Sequence, residues 1–178
     1  SSFPLGTAVR FKPFQKDAQL RRLQQHHFDS YTAGSDMKMN QVMPTEGRFD
    51  FSIVDSIIAY AEEHNQRVFG HNLVWHRSTP EWVRQKAKQN PKWLLPFLKG
   101  YIQSYVGRYK GKVHGWDVVN EGLNTKGAGF RTDTIWYETI GLEYIEKAFE
   151  YAHEADPDAI LFYNDFNIER DLEKFNTM

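Results

Sequence analysis

Short apolar segments alternate with longer amphipathic segments along this chain. The short segments are rich in β-branched and aromatic residues, as strands are, and the segments between them repeat apolar residues at helical spacing. After the second strand, for example, Ile53, Ile57 and Ala61 fall on one face of a helix. The predicted strands cover residues 3–9, 28–33, 67–74, 113–119 and 159–166. The predicted helices cover residues 14–26, 51–65, 91–109, 134–153 and 168–178, with a shorter helical turn at 80–87.

Helix-start residues support these boundaries. Ser52 and Asp55 resemble a capping box, and Asn90 before Pro91 is typical of a helix N-terminus. Strands that alternate with helices indicate a parallel sheet of βαβ units, and no linker-like change in composition divides the chain. We therefore predict an α/β fold in a single domain that is not finished within these 178 residues.

Composition and charge exclude several classes of partner. The formal net charge is -1 and basic residues are interspersed with acidic ones, so nucleic acid is not an expected partner. The apolar runs are much shorter than the ~20 residues that cross a bilayer, so no membrane span is expected. The absence of cysteine excludes disulfides, cysteine–zinc sites and thiol nucleophiles. The aromatic content of 15% favours a sugar-binding cleft, because aromatic faces match the C–H face of a pyranose.

Glu121 is the first candidate catalytic residue. It stands at the exit of the fourth predicted strand, with Asn120 immediately before it. A glycosidase needs a carboxylic acid to protonate the leaving oxygen, and an amide can hydrogen-bond the sugar 2-hydroxyl as the transition state develops. Taken alone, the pair also fits a polar strand terminus.

His71, Trp75 and His76 lie at the end of the third predicted strand. With a side-chain period of two, His71 and Trp75 share a face whereas His76 points away, which disfavours a two-histidine metal site. His71 and Trp75 could line a sugar site, the imidazole donating to hydroxyls and the indole forming a wall. The alternative is a core histidine beside a packed tryptophan.

Lys38 follows the second predicted strand, and Asn164 lies where the fifth predicted strand ends. Lys38 could reach hydroxyls in a cleft or be a solvated surface charge, and Asn164, with Asp165 and Asn167, could bind sugar or form a polar turn. These clusters join those after the third and fourth strands at the same end of the predicted sheet. In a (β/α)₈ barrel that end carries the active site.

Several motifs together resemble those of glycoside hydrolase family 10, the endo-β-1,4-xylanases. They are GRFDF at 47–51, GHNLVWH at 70–76, PEWV at 80–83, WDVVNE at 116–121 and YNDFN at 163–167, in the order and spacing of the family. The resemblance covers nearly the whole chain. It implies the N-terminal portion of one (β/α)₈ TIM-barrel catalytic domain, with about five of its eight βα units in residues 1–178.

The resemblance also implies roles for individual residues. Glu121 matches the catalytic acid/base, and Asn120 matches the partner of the 2-hydroxyl. The other matched substrate-site positions are Lys38, His71, Trp75, His76 and Asn164, of which His76 and Asn164 are assigned to support of the site. The implied reaction retains configuration, with a second carboxylate ~5 to 5.5 Å away attacking the anomeric carbon. It requires no metal or organic cofactor.

The sequence departs from the family pattern in two ways. Gly34-Ser35 replaces a Glu-Asn pair that contacts the sugar one unit from the cleavage point, and Met39 replaces a Trp. The family's nucleophile, a Glu on the seventh strand, lies beyond the fifth strand predicted here, and neither Asp117 nor Glu169 replaces it convincingly. We therefore expect a complementary C-terminal half, as a second chain or in a longer parent chain, and no activity from this chain alone.

The sequence thus predicts an endo-acting retaining hydrolase of xylan or xylo-oligosaccharides. One alternative is a non-catalytic xylan-binding half-barrel, and another is the same mechanism on a different β-1,4-glycan. The family resemblance implies a secreted protein, and the absence of a basic-then-apolar leader before Ser1 fits a mature or trimmed chain.

Overall fold

A parallel β-sheet organises the molecule. The computed structural model describes residues 3–178, and within them five strands pair in the order β1-β2-β3-β4-β5, every pair parallel. The strands are β1 (Gly6–Val9), β2 (Ser30–Ala33), β3 (Arg67–Trp75), β4 (Val113–Asn120) and β5 (Ile160–Asn164). Each predicted strand is present, and the sequential parallel order is that of an α/β barrel built from βαβ units.

Helices connect the strands. The principal ones are amphipathic and bury one face against the sheet, as the spacing of their apolar residues predicts. The helices are α1 (Phe11–Lys16), α2 (Ala18–His27), α3 (Met39–Val42), α4 (Ser52–Glu63), α5 (Glu81–Gln89), α6 (Leu94–Arg108), α7 (Ile135–Ile140), α8 (Glu143–Ala155) and α9 (Leu172–Thr177), with a 3₁₀ turn at Pro91–Trp93 before α6. No helix among residues 3–178 combines the length and apolar character that a membrane span requires.

The hydrophobic core lies between the sheet and its helices. Trp116 of β4 is fully buried and meets Tyr105 of α6 edge to face, with ring centroids 5.0 Å apart. Gly70 on the neighbouring strand makes room for the indole, because a Cβ at that position would overlap the Trp116 ring. The close pairing of β3 and β4 therefore depends on a small residue opposite a large one.

The other face of the sheet is open at β5. Ile160 is 60% exposed and Phe162 is 41% exposed, although Phe162 contacts Phe69 of β3 at a ring distance of 5.2 Å. In the described part of the chain, β1 and β5 are the two edges of the sheet. The structure is a partial barrel whose inner side is not covered.

Three predicted helices differ from the observed ones. The helix predicted at 14–26 is divided, because the Asp17 side chain accepts hydrogen bonds from the Gln19 and Leu20 amides and starts α2 afresh. The helix predicted at 134–153 is divided at Gly141, whose φ of 79° cannot continue a helix. The last helix begins at Leu172 rather than 168, after the capping residue Asp171.

The predicted helix starts are also corrected in detail. Ser52 forms no capping box; instead Asp50 accepts hydrogen bonds from the Ser52 amide at 3.0 Å and its hydroxyl at 2.6 Å. Asn90 makes no side-chain capping bond, and Pro91 opens the short 3₁₀ turn rather than α6 itself.

Candidate active site

The carboxyl ends of β3, β4 and β5 bring the predicted site residues to one edge of the sheet. In the strand register Trp75 is opposite Asn120, and Asn120 is opposite Asn164. Parallel strands end on the same side, so residues that are far apart in the chain become neighbours. The order of strands alone thus places three of the predicted residues side by side.

Glu121 lies at the centre of this edge. Its Oε2 accepts a hydrogen bond from the Trp75 indole Nε1 at 2.9 Å, and its amide donates to the Asn164 carbonyl at 2.8 Å. Its φ is 55°, a left-handed conformation that residues with a Cβ seldom adopt. The half-buried carboxylate is therefore aimed by both its backbone and the indole.

Lys38 completes a charged and aromatic group around Glu121. Its ammonium lies 4.3 Å from the centroid of the Trp75 ring, a distance typical of a cation–π contact. Burial lowers the pKa of Lys38 below its ordinary value, while the charge of Glu121 acts in the opposite direction. The Trp75 indole is thus placed between a cation on its face and a carboxylate at its N–H.

Asn120 and Asn164 form a second pair. Asn164 Nδ2 donates to Asn120 Oδ1 at 2.7 Å, which joins the ends of β4 and β5. Because the Asn120 oxygen accepts this bond, its amide N–H groups are the part that can donate to a ligand hydroxyl. Asn120 is itself buried, so the bond fixes the amide orientation.

His71 is paired with a carboxylate that the sequence does not assign to it. Its Nδ1 is 2.7 Å from Oδ2 of the buried Asp117, the residue opposite it in the β3–β4 register. A carboxylate can only accept, so Nδ1 donates and Nε2 is the acceptor in the neutral ring. The sequence analysis considers Asp117 only as an unconvincing replacement for the nucleophile. Its hydrogen bond to His71 depends on the register of β3 and β4, which cannot be read from the residue pattern.

His76 lies beside the same group. Its ring centroid is 6.0 Å from that of Trp75, in an edge-to-face arrangement. Burial and then the positive charge of Arg131 lower the pKa of His76, and the charge of Glu121 raises it less strongly. The lowered pKa favours the uncharged ring.

Arg131 is a residue that sequence reasoning missed. It lies in the long loop after β4, where its Nε donates to the Glu121 carbonyl at 3.4 Å and its guanidinium pairs with Asp133 at 3.6 Å. A separation of ten residues from Glu121 does not by itself indicate that Arg131 belongs to the site. The fold of the loop brings Arg131 next to Glu121.

The departures at 34–39 have different structural settings. Met39 is 1% exposed and packs in the core, so the residue that stands in place of the family's Trp faces the interior rather than the site edge. The Gly34 amide donates to the Val9 carbonyl at 2.9 Å, at the end of β1.

Among residues 3–178, no group of three or more His, Cys, Asp or Glu side chains is arranged to hold a metal ion.

Comparison with known proteins identifies the family of this arrangement. The family model described as glycosyl hydrolase family 10 matches residues 1–178. The chain belongs to glycosyl hydrolase family 10. The family resemblance and the α/β class with an incomplete (β/α)₈ barrel, both predicted from the sequence, are thereby confirmed.

Family 10 relatives match nearly all of the chain but only part of themselves. A β-1,4-xylanase of Dictyoglomus thermophilum is 44% identical over 97% of this chain and 47% of its own length. An endo-1,4-β-xylanase of Geobacillus stearothermophilus is 42% identical over 94% of this chain and 50% of its own length. The chain thus spans about half the length of these curated relatives.

Solved family 10 structures agree with the fold. Xylanase 10B from Thermotoga petrophila RKU-1, solved in complex with xylobiose, has a TM-score of 0.89 and 37% identity, covering 98% of this chain and 53% of that one. An intracellular xylanase from Thermoanaerobacterium saccharolyticum has a TM-score of 0.85 and 39% identity, covering 94% of this chain and 54% of that one.

Proposed function

We propose that this chain is part of an endo-acting, retaining β-1,4-xylanase in which Glu121 is the general acid/base. The observation that carries the proposal is the setting of Glu121: a carboxylate at the end of β4, hydrogen-bonded by Trp75 at 2.9 Å and following an oriented amide, Asn120. The acid can protonate the leaving oxygen, the amide can bind the sugar 2-hydroxyl and the indole can pack against the sugar, while a second carboxylate completes the reaction.

The proposed reaction has two steps. In the first, a second carboxylate attacks the anomeric carbon while Glu121 transfers its proton to the departing glycosidic oxygen. In the second, the Glu121 carboxylate takes a proton from water, which attacks the same carbon and releases the second carboxylate. Each step inverts the anomeric centre, so the product keeps the starting configuration.

The sugar-binding roles follow from the donors available. Lys38 and Asn120 present N–H donors beside Glu121, and Trp75 presents the indole edge and face. His71, oriented by Asp117 through Nδ1, presents Nε2 as an acceptor for a sugar hydroxyl. We assign His76 and Asn164 to support, because Asn164 holds Asn120 and His76 packs against Trp75.

The second carboxylate is proposed to come from the rest of the barrel. Among the described carboxylates near the site, Asp117 is engaged by His71 and Asp165 by Lys174. The open inner face at Ile160 and Phe162 fits further strands, provided by a second chain or by a longer parent chain. We propose that the remaining βα units cover this face and bring the nucleophile to Glu121.

Xylan and xylo-oligosaccharides are the proposed substrates, on the strength of relatives named as xylanases. A second candidate is the same mechanism on another β-1,4-glycan. It is favoured by an exoglucanase of Acetivibrio thermocellus that is 40% identical over 99% of this chain, and by the small pair Gly34-Ser35. Secretion stays a prediction, and one solved relative is described as intracellular.

Glu121→Ala in the complete barrel is the direct test. Because general acid/base catalysis contributes on the order of 10²- to 10⁴-fold, we expect reducing-sugar release from xylan to fall by about that factor. Added azide, a nucleophile that needs no base, should restore turnover of an activated aryl xyloside and give a β-xylosyl azide.

A comparison of the hydrolysis rates of the complete wild-type barrel on xylan and on soluble cellulose separates the two substrate classes.

The matched control is Glu138→Ala, which removes an exposed carboxylate from α7. It should leave the rate on xylan unchanged. Full activity of Glu121→Ala would contradict the proposal. Xylan affinity without turnover in the complete wild-type barrel would favour the non-catalytic binding alternative.

A further inference from the structure

A buried ion pair lies behind the loop that follows Glu121. The side chains of Asp165 and Lys174 are both 0% exposed, and Lys174 Nζ donates to Asp165 Oδ1 at 2.6 Å. The same ammonium donates to the Phe166 carbonyl at 2.8 Å and lies 4.0 Å from the Phe166 ring centroid. A carboxylate at this depth needs such compensation to stay ionised.

The second oxygen of Asp165 is turned towards the backbone beside the proposed acid/base. Oδ2 accepts hydrogen bonds from the Leu123 amide at 3.1 Å and from the Tyr163 hydroxyl at 3.0 Å. The Tyr163 oxygen also lies close to Gly122, because a Cβ built there would be 2.9 Å from it. Of the two residues after Glu121, Leu123 is therefore bound by Asp165 directly, and Gly122 lies against the Tyr163 hydroxyl.

The Tyr163 hydroxyl is suited to hold Asp165. Burial first, and then the negative charge of Asp165, raise the pKa of Tyr163 well above its ordinary value, so the hydroxyl stays protonated and donates a hydrogen bond to Asp165. A Cβ at Gly122 would lie 2.9 Å from the Tyr163 oxygen and 3.1 Å from that of Tyr144. Glycine therefore lets both hydroxyls lie against this peptide.

The conformation of Glu121 gives this network its significance. A φ of 55° is disfavoured for a residue with a Cβ and persists where the surroundings over-determine it. On its N-terminal side Glu121 is bound to the Asn164 carbonyl at 2.8 Å, and on its C-terminal side the Leu123 amide is bound by Asp165 at 3.1 Å. Both attachments come from residues 163–165, at the end of β5.

Helix α9 secures the rest of the same loop. The Gly127 amide donates to Asp171 Oδ2 at 2.8 Å, and the Gly129 amide donates to the Thr177 hydroxyl at 3.1 Å. Lys174, between those two helix positions, neutralises Asp165. The loop is therefore hydrogen-bonded to residues at both ends of α9.

We propose that Asp165, held by Lys174 and Tyr163, is a positioning residue that fixes the direction of the Glu121 carboxyl group through the 122–123 backbone. This inference rests on the proposed role of Glu121 as acid/base. Asp165 itself does not touch the sugar; it acts by keeping the acid within reach of the leaving oxygen. A purely structural role in anchoring α9 is the competing account.

The test uses Tyr163→Phe and Asp165→Asn in the complete barrel. We compare kcat/KM for phenyl xylobioside, whose leaving group needs a proton, with kcat/KM for 2,4-dinitrophenyl xylobioside, whose leaving group does not. Since a misplacement of about 1 Å can cost on the order of 10²-fold, we expect phenyl xylobioside hydrolysis to fall about 10- to 100-fold. Hydrolysis of the dinitrophenyl substrate should change less than about 3-fold, because it does not draw on the acid.

Controls separate this inference from the proposed function. Glu121→Ala should show the same selective loss in larger measure; if it loses activity on both substrates equally, the acid role itself is wrong. If Glu121→Ala is selective but Tyr163→Phe and Asp165→Asn reduce both substrates equally, or neither, then the positioning role is wrong. Tyr137→Phe, a half-buried tyrosine outside the network, should be unchanged on both. Should Asp165→Asn not fold, Tyr163→Phe decides, because it removes a single oxygen.

Discussion

His76 lies among charges of both signs next to the proposed acid/base. Burial and Arg131 lower its pKa, Glu121 raises it, and Arg77 and Asp133 add smaller effects of opposite sign. The folded-state pKa is therefore below the ordinary 6.5 of an unfolded chain. Between these two values the unfolded state binds more protons than the folded state, so the free energy of unfolding rises with pH.

We predict that His76 makes the protein less stable in mild acid. As pH falls through 6.5 and then below the folded-state pKa of His76, the unfolded chain gains a proton first and stability declines. His76→Gln removes this titration, so the free energy of unfolding should decline less between pH 7.5 and 5. Urea unfolding of the complete barrel at several pH values measures this decline in the free energy of unfolding. His26→Gln, at an exposed position of α2, is the control. Parallel pH curves for wild type and His76→Gln would contradict the prediction.

At the residue scale the sequence predicted which side chains meet but not how each is held. Glu121, Trp75 and Asn164 could be placed together because each lies at the carboxyl end of a strand in one parallel sheet. The partnership of His71 with Asp117 could not, since it depends on the β3–β4 register, which shifts between His71 and Val74. The left-handed backbone at Glu121 is likewise set by contacts that no periodicity encodes.

At the scale of elements, the pairing of β3 with β4 depends on complementary size. Gly70 lies against the face of the fully buried Trp116, which in turn meets Tyr105 of α6. Any side chain at residue 70 would force the indole, the strand or the helix to shift. His71 and Trp75 are on the same strand, so the site depends on this packing.

We predict opposite effects for two glycine-to-alanine substitutions. Gly70→Ala should destabilise the protein by about 1–3 kcal/mol, because overpacking a close-packed core forces strain. Gly100→Ala should stabilise it by up to about 1 kcal/mol, because Gly100 is at an exposed position of α6 where an added Cβ would meet nothing within 4 Å, and alanine favours helix. Thermal and urea unfolding measure both. Equal effects for the two would show that the close contact at Gly70 is relaxed in solution.

The succession of strands and helices could be predicted from apolar periodicity, and the breaks within helices could not. The periodic pattern continues across Asp17 and Gly141, although the chain stops one helix and starts another at each. In both cases a local interaction decides: a side-chain cap at Asp17 and a positive φ at Gly141. Such local chemistry competes with the hydrophobic pattern and changes boundaries without changing the fold.

At the scale of the whole molecule, the sheet presents an uncovered apolar inner face. Ile160 and Phe162 are exposed on β5, and Leu172 and Phe175 are exposed on the final helix α9. Large apolar side chains left exposed in this way mark an interaction surface or an aggregation liability. Open edges at β1 and β5 of the described sheet add unpaired backbone groups.

We predict that residues 1–178 expressed alone bind a hydrophobic dye such as ANS and release no reducing sugar from xylan. Exposed apolar surface is the reason for the expected dye binding, and the proposed location of the nucleophile in the remaining βα units is the reason for the expected inactivity. Addition of a polypeptide that provides the remaining βα units of a family 10 barrel should lower dye fluorescence and produce activity together. A monomer that binds no dye, or that hydrolyses xylan unaided, would contradict the prediction.

The position of Trp75 gives the site an optical property. Its indole lies between the Lys38 ammonium, 4.3 Å from the ring, and the Glu121 carboxylate, 2.9 Å from Nε1. Indole fluorescence responds to nearby charge and to the loss of water, so binding of a sugar at the proposed site should change the emission of Trp75. The difference in emission between the wild-type protein and a Trp75→Phe variant therefore isolates a signal from the proposed site of bond cleavage, without any added label.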